Sequence, residues 1–228
     1  MKNLANGPAS AFSNSNTLLI CESFVSVCGE TTRQGLPAWF VRLSRCNLRC
    51  DWCDTEYSWD SGRERAVGEL LAEARDAGRD LAVVTGGEPL LQANAPALIA
   101  GLADLGMTVL VETNGTLPID GLDPRAVRIV DVKPPSAKVA EPFLAANLSR
   151  LRPTDEVKFP VADRADFDSA VEFVRAHRLE HRCPLLISPV ADRVNASDVA
   201  DWVLASPVRF RLQLQLHKML WGADARGR

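Results

Sequence analysis

Short apolar runs alternate with amphipathic stretches along most of the chain, and this alternation predicts its elements. Strands are expected at Thr17–Phe24, Ala38–Leu43, Leu81–Thr85, Thr108–Glu112, Arg128–Val132, Glu156–Pro160, Leu185–Ser188 and Arg209–Leu216. Helices are expected near Arg65–Ala77, Ala95–Leu105, Ala140–Leu148, Arg164–Arg178 and Ala196–Ala205. Strands that take turns with helices indicate βαβ units and a mostly parallel sheet. Several strands are apolar almost throughout, as strands covered on both faces should be. The polar and glycine-rich segments fall just after the strands, where α/β sheets and barrels bind their ligands. Residues 1–16 are small and polar and read as a disordered tail, leaving 17–228 as one domain.

Composition narrows the class without naming a chemistry. The 228 residues carry 26 Lys+Arg against 29 Asp+Glu, with 46% hydrophobic and 24% charged positions. That balance excludes global disorder and collagen-like repeats. No apolar run approaches the ~18–20 residues of a membrane-spanning helix. The slight acidity argues against a protein built to grip a nucleic-acid backbone. The first residues lack the basic start and apolar core of a signal peptide, so the expected compartment is the cytoplasm.

The six cysteines carry more information. In a reducing compartment, clustered cysteines read first as metal or redox ligands. Cys46-x3-Cys50-x2-Cys53 forms such a cluster, whereas Cys21, Cys28 and Cys183 are scattered and read as small buried hydrophobes. A structural zinc site normally closes with four ligands, and no fourth partner is evident. Three thiolates suit an iron–sulfur cluster with one iron left open to a substrate or cofactor. A zinc knuckle or a redox pair is the competing reading.

The spacing, with Trp52 just before the last cysteine, resembles the signature of radical S-adenosylmethionine (SAM) enzymes. The resemblance implies that Cys46, Cys50 and Cys53 hold a [4Fe–4S] cluster whose open iron chelates SAM, and that one electron then generates a 5′-deoxyadenosyl radical. Val83-Val84-Thr85-Gly86-Gly87-Glu88-Pro89 strengthens it. Side-chain-free glycines let backbone approach the methionine ammonium, and Glu88 supplies a negative partner.

Further segments in order are Glu22 to Glu30, Gly35-x-Pro37, Trp39 to Leu43, Asp54 to Tyr57, Glu112 to Thr116, Asp131 to Ser136 and Leu212 to Trp221. Together they resemble the 7-carboxy-7-deazaguanine synthase family of queuosine biosynthesis. The resemblance implies a shortened, incomplete (β/α) barrel of the TIM-like, radical SAM type. It implies a lyase that converts 6-carboxy-5,6,7,8-tetrahydropterin to 7-carboxy-7-deazaguanine with loss of ammonia. Mg2+, a homodimer and a one-electron reductant such as flavodoxin or ferredoxin are implied as well.

By the same resemblance, Trp52, Cys53 and Asp54, Gly87 with Glu88, Asp131, Val132 and Lys133, and Ser188 with Pro189 line SAM. Val27, Cys28, Gly29, Glu30, Arg42, Thr85 and His217 hold the pterin, and Thr55 binds Mg2+. The residue types suit these roles. A carboxylate such as Glu30 accepts from the pterin's guanidine-like edge, while Arg42 and His217 take the substrate carboxylate. Mg2+ needs oxygen ligands and binds through few protein groups plus substrate. Glu112 is the candidate for proton transfer. Each has a plainer alternative: Arg42 as a structural ion pair, Thr55 as a helix cap, Glu30 as a loop carboxylate, His217 and Lys218 as solvated strand-end residues.

Three positions depart from the family pattern. Cys28 stands where glutamine or a small polar residue is usual, and its thiol is open to oxidation if exposed. Arg45 stands where glycine is common, and Asp131 replaces a frequent serine. Two rival functions share part of the signature: a radical SAM activase that installs a glycyl radical on a partner enzyme, and a non-catalytic metal or iron–sulfur module.

Overall fold

The computed structural model describes residues 16–223 and 225–228. Its elements in chain order are β1 (Thr17–Val27), β2 (Pro37–Leu43), β3 (Arg63–Ala66), α1 (Val67–Asp76), β4 (Leu81–Gly86), α2 (Ala95–Asp104), β5 (Thr108–Thr113), β6 (Val127–Asp131), β7 (Glu156–Val161), α3 (Arg164–Ala176), β8 (Leu185–Pro189), α4 (Ala196–Ala205), β9 (Arg211–Leu212) and α5 (Leu216–Trp221). Nine strands form one sheet in the order β3-β1-β2-β4-β5-β6-β7-β8-β9. β1 runs antiparallel to β2 and β3, and every pairing from β2 onward is parallel. β3 and β9 are both edges, so the sheet is an incomplete barrel, as expected, and not a closed one.

The alternation of side chains along each strand divides the core. Ala82, Val84, Val109 and Val111 face α1 and α2, joined there by Trp39, Leu70, Leu98 and Leu102. Val157, Phe159, Leu185 and Ile187 pack with α3 and α4 through Phe167, Val174 and Val199. The intervening residues Val83, Leu110 and Ile129 turn to the opposite face, where Cys28 and Ala38 complete a separate apolar layer. Helix starts follow local chemistry. Asp163 caps α3 by accepting from the Asp166 backbone N–H, leaving that helix to bury Phe167, Ala170 and Val174 at near-helical spacing.

Three expectations change. Arg63–Ala66 form a strand against β1, so the helix expected from Arg65 begins at Val67. Ala140–Leu148 do not form an α-helix: a 3-10 turn covers Ala145–Arg150, and Asn147 satisfies the Gly115 and Leu117 carbonyls instead. The last strand shrinks to Arg211–Leu212, because Leu216 starts α5 and donates its N–H to the Gly29 carbonyl at 3.0 Å. The tail expectation for 1–16 lies outside the described residues except at Asn16.

Candidate active site

The face opposite the helices changes character along its length. Two residues beyond the apolar Val83, Leu110 and Ile129 come Thr85, Glu112 and Asp131, which the period of two keeps on that face. Together with Arg42 and Lys158 they line a cavity of about 550 Å³ at the carboxyl ends of the parallel strands. Cys46, Cys50, Trp52, Cys53, Asp54 and Thr55 line its wall. Val27, Cys28, Gly29, Glu30 and His217 line it too, as do Gly87, Lys133, Ser188 and Pro189.

The cysteine loop is held by backbone. Arg45 sits in the left-handed region at φ 74° and takes a hydrogen bond from the Glu88 N–H at 2.8 Å on its carbonyl. That region favours glycine, so Arg45 holds a conformation that is costly for a residue with a side chain. Gly87 serves this packing, since a Cβ there would lie 2.2 Å from the Arg45 carbonyl oxygen, whereas a Cβ on Gly86 would meet the end of β2, 2.3 Å from the Leu43 carbonyl oxygen. Gly87 therefore admits the cysteine loop, and Gly86 the close approach of β2. Leu48, Ala137 and partly buried Trp52 and Val139 pack around the three cysteines. Burial pushes the Cys46 thiol up and the Cys50 thiol up to about 11, while the Lys133 charge opposes both shifts. Among the described residues no three His, Cys, Asp or Glu side chains could hold one metal ion together.

A charge network crosses the cavity. Lys158 Nζ lies 2.8 Å from Glu30 Oε2 and 3.3 Å from Asp131 Oδ2. Lys133 Nζ reaches the same Asp131 oxygen at 3.0 Å and stands 5.4 Å from the Trp52 ring centroid. Gln215 bridges Glu30 Oε1 at 2.8 Å and Asp54 Oδ2 at 3.2 Å, and Lys218 pairs with Asp54 at 2.7 Å. Burial alone would raise Glu30, but the Lys158 charge and the two donated hydrogen bonds hold it below its ordinary value. Glu112 goes the other way: burial, reinforced by the Glu30 charge, raises it against the pull of Lys158. The Thr85 hydroxyl donates to Glu112 at 2.7 Å.

Not every sequence candidate has the expected place. Glu88 is buried beneath the wall, and its carboxylate accepts from the Leu90 and Asn114 N–H groups and the Thr113 hydroxyl. It braces the loop after β5 and is not among the side chains that line the cavity. Val132 is likewise buried off the wall, with its N–H on the Lys158 carbonyl. Cys28 is 2% exposed and burial lifts its thiol to about 11, so the oxidation hazard falls away. Arg42 does pair structurally, its Nε donating to Glu22 at 2.8 Å, while still lining the cavity. His217 lies on α5, not after a strand, and burial lowers its pKa against the opposing pull of the Glu30 charge. Thr55 makes no side-chain capping bond to the 3-10 turn that follows, and its hydroxyl lies 3.7 Å from Cys53 Sγ.

Lys158, Gln215 and Asn114 line the cavity without having been singled out as candidates. The signal for Lys158 was present: a lysine inside a strand that is otherwise buried on both faces.

A model of the radical SAM superfamily matches residues 41–132. The 7-carboxy-7-deazaguanine synthase of Koribacter versatilis is 40% identical over 223 residues, covering 91% of this chain and 99% of its own. The synthase of Thermoplasma acidophilum is also 40% identical, over 90% of this chain and 98% of its own. The chain belongs to the 7-carboxy-7-deazaguanine synthase family. The crystal structure of QueE from Escherichia coli shares the fold, with a TM-score of 0.75 at 24% identity over 90% of this chain and 100% of that one. Family membership makes the chain a radical SAM lyase and displaces the activase and non-catalytic readings.

The wall of the cavity fits the cofactors that the 7-carboxy-7-deazaguanine synthase family uses. The three thiols of one loop share an apolar patch within reach of the Lys133 charge, a donor set suited to an anionic iron–sulfur cluster in which each thiolate holds a different iron. Asp131 Oδ1 is buried without a hydrogen-bond partner among the described residues although the residue lines the cavity, an acceptor suited to the ammonium or hydroxyl donors of SAM.

Proposed function

We propose that this site contracts the ring of 6-carboxy-5,6,7,8-tetrahydropterin to give 7-carboxy-7-deazaguanine and ammonia. The observation that carries this reading is the shared cavity, lined both by Cys46, Cys50 and Cys53 and by Glu30, Arg42, Thr85, Glu112 and His217. With a [4Fe–4S] cluster on Cys46, Cys50 and Cys53 and SAM beside Asp131, Lys133 and Ser188, the cofactors supply hydrogen-abstracting radical chemistry at the substrate carbon that bears the carboxylate.

The chain's own residues bind, orient and move protons. Glu30 is ionised and accepts the paired donors of the pterin's guanidine-like edge. Arg42 draws the substrate carboxylate, its Nε tied back to Glu22 so that the guanidinium is pre-oriented. Glu112, held by Thr85 and raised by burial, is the residue for proton transfer as the amine departs. Val27, Cys28 and Gly29 form the shoulder of the pterin site. Gly29 is required because a Cβ there would sit 2.1 Å from His217 Nδ1.

The reading includes Mg2+ on the Thr55 hydroxyl, completed by the substrate's carboxylate and ring oxygen. It includes a one-electron reductant such as flavodoxin or ferredoxin, and a cytoplasmic setting, which suits thiolate-bound iron. A homodimer accords with the exposed Met219, Leu220 and Trp221 on α5. No described helix is long and apolar enough to cross a membrane.

The test is anaerobic incubation of the reconstituted, reduced protein with SAM and 6-carboxytetrahydropterin, read by the mass of the product. A deazaguanine carboxylate is expected, and Cys50→Ala abolishes both it and the brown chromophore. SAM cleavage without that product would refute the substrate assignment.

A further inference from the structure

We propose that Lys158 is a positioning residue that couples the two ligand halves of the cavity, orienting Glu30 for the pterin and Asp131 for SAM. The inference rests on the substrate reading above and deepens it. Lys158 and Asp131 are direct register partners on β7 and β6, so the strand pairing itself sets one arm of the bridge. The other arm reaches the loop after β1, where Lys158 Nζ is 2.8 Å from Glu30 Oε2.

The geometry of both carboxylates favours orientation over neutralisation. Gln215 donates to Glu30 Oε1 and Lys158 to Oε2, each at 2.8 Å, so each oxygen receives one protein donor. A carboxylate oxygen accepts through two lone pairs, and the remaining one on each oxygen suits a paired, in-plane donor set. Asp131 is arranged in a parallel way. Its Oδ2 takes Lys133 and Lys158, whereas Oδ1 is buried and has no partner among the described residues.

One ammonium therefore braces both acceptors. Burial would discourage its charge, but Glu30, Asp131 and Glu112 together outweigh burial and keep it protonated. A ligand that fixes Asp131 restricts Lys158, and the restricted Lys158 holds Glu30 in the plane the second ligand needs. Such a coupling is reciprocal: each ligand strengthens the other by the same factor.

The experiment is calorimetric titration of the cluster-loaded protein with 6-carboxypterin, a fully aromatic analogue, with and without saturating SAM. For the unaltered protein SAM raises the pterin affinity by about tenfold, within the usual range of coupling between sites. Lys158→Met, similar in length and uncharged, brings that ratio close to one, and Lys158→Arg retains most of it. A general loss of packing would lower affinity with and without SAM and leave the ratio unchanged. An unaltered ratio in Lys158→Met, or a ratio of one in the unaltered protein, overturns the proposal. Should Lys158→Met not fold, Asp131→Asn weakens the bridge from its other end and is read by the same ratio. Binding of SAM with no binding of 6-carboxypterin would instead refute the substrate reading, so the two failures are distinct.

Discussion

Gly87 and Arg45 touch through backbone: a Cβ added to Gly87 would stand 2.2 Å from the Arg45 carbonyl oxygen and 2.8 Å from Cys46 Cβ. The clash is with main chain, which has no alternative rotamer, so the cysteine loop itself must move. Gly87→Ala is expected to cost about 1–3 kcal/mol and to impair cluster assembly. Iron and sulfide content per chain after reconstitution checks this, and a full complement in the variant would contradict it.

Arg45 predicts a gain. Its φ of 74° strains a residue with a side chain, roughly 1–2 kcal/mol for the left-handed region. Glycine removes that strain but loosens the unfolded chain by about 0.4–1 kcal/mol. Arg45→Gly is therefore expected to stabilise by about 0.5–1 kcal/mol, or a few degrees in Tm. A lower Tm would show that the exposed arginine side chain contributes more than its backbone costs.

Glu112 predicts opposite pH effects on activity and stability. Its carboxyl is raised in the folded protein, chiefly by burial. If the ionised form accepts the proton, kcat/KM falls on the acid side at a pH above ~4.3, where an ordinary glutamate titrates. Stability has the reverse sign. The folded state binds the proton more tightly than the unfolded one, so this contribution is complete below the unfolded pKa and lost as pH rises through the folded one. Glu112→Gln should abolish turnover yet weaken this decline of stability toward neutral pH. Denaturant midpoints measured between acid and neutral pH test the second effect without requiring activity.

Thr55 separates metal binding from helix capping. Its side chain makes no capping bond and only a long contact of 3.7 Å with Cys53 Sγ, so Thr55→Ala should leave Tm within about 1 °C, as expected where no strong buried bond is lost. The variant is expected to weaken the stimulation of turnover by Mg2+. The rate measured against Mg2+ concentration decides the matter, and an unaltered curve removes Thr55 from the metal site.

Local pattern determined much of this protein. Apolar alternation fixed most strands and helices, and the spacing of Cys46, Cys50 and Cys53 together with Gly86-Gly87-Glu88 carried the chemistry. Those features are legible because neighbours in sequence produce them: a two-residue period places Thr85, Glu112 and Asp131 on one face whatever the rest of the chain does.

What needed the tertiary structure was every relationship between distant segments. Glu88 has the composition of a ligand residue, but the approach of Thr113 and Asn114 turns it into a buried brace. The terminal segment reads as a strand until Gly29 accepts the Leu216 N–H and lets α5 begin, which carries His217 to the cavity. Lys158 acquires its meaning only when Glu30 and Asp131 arrive on either side. Charge and hydrogen bonding act through space, so residues far apart in the chain decide which carboxylates stay ionised and which side chains remain available to a ligand.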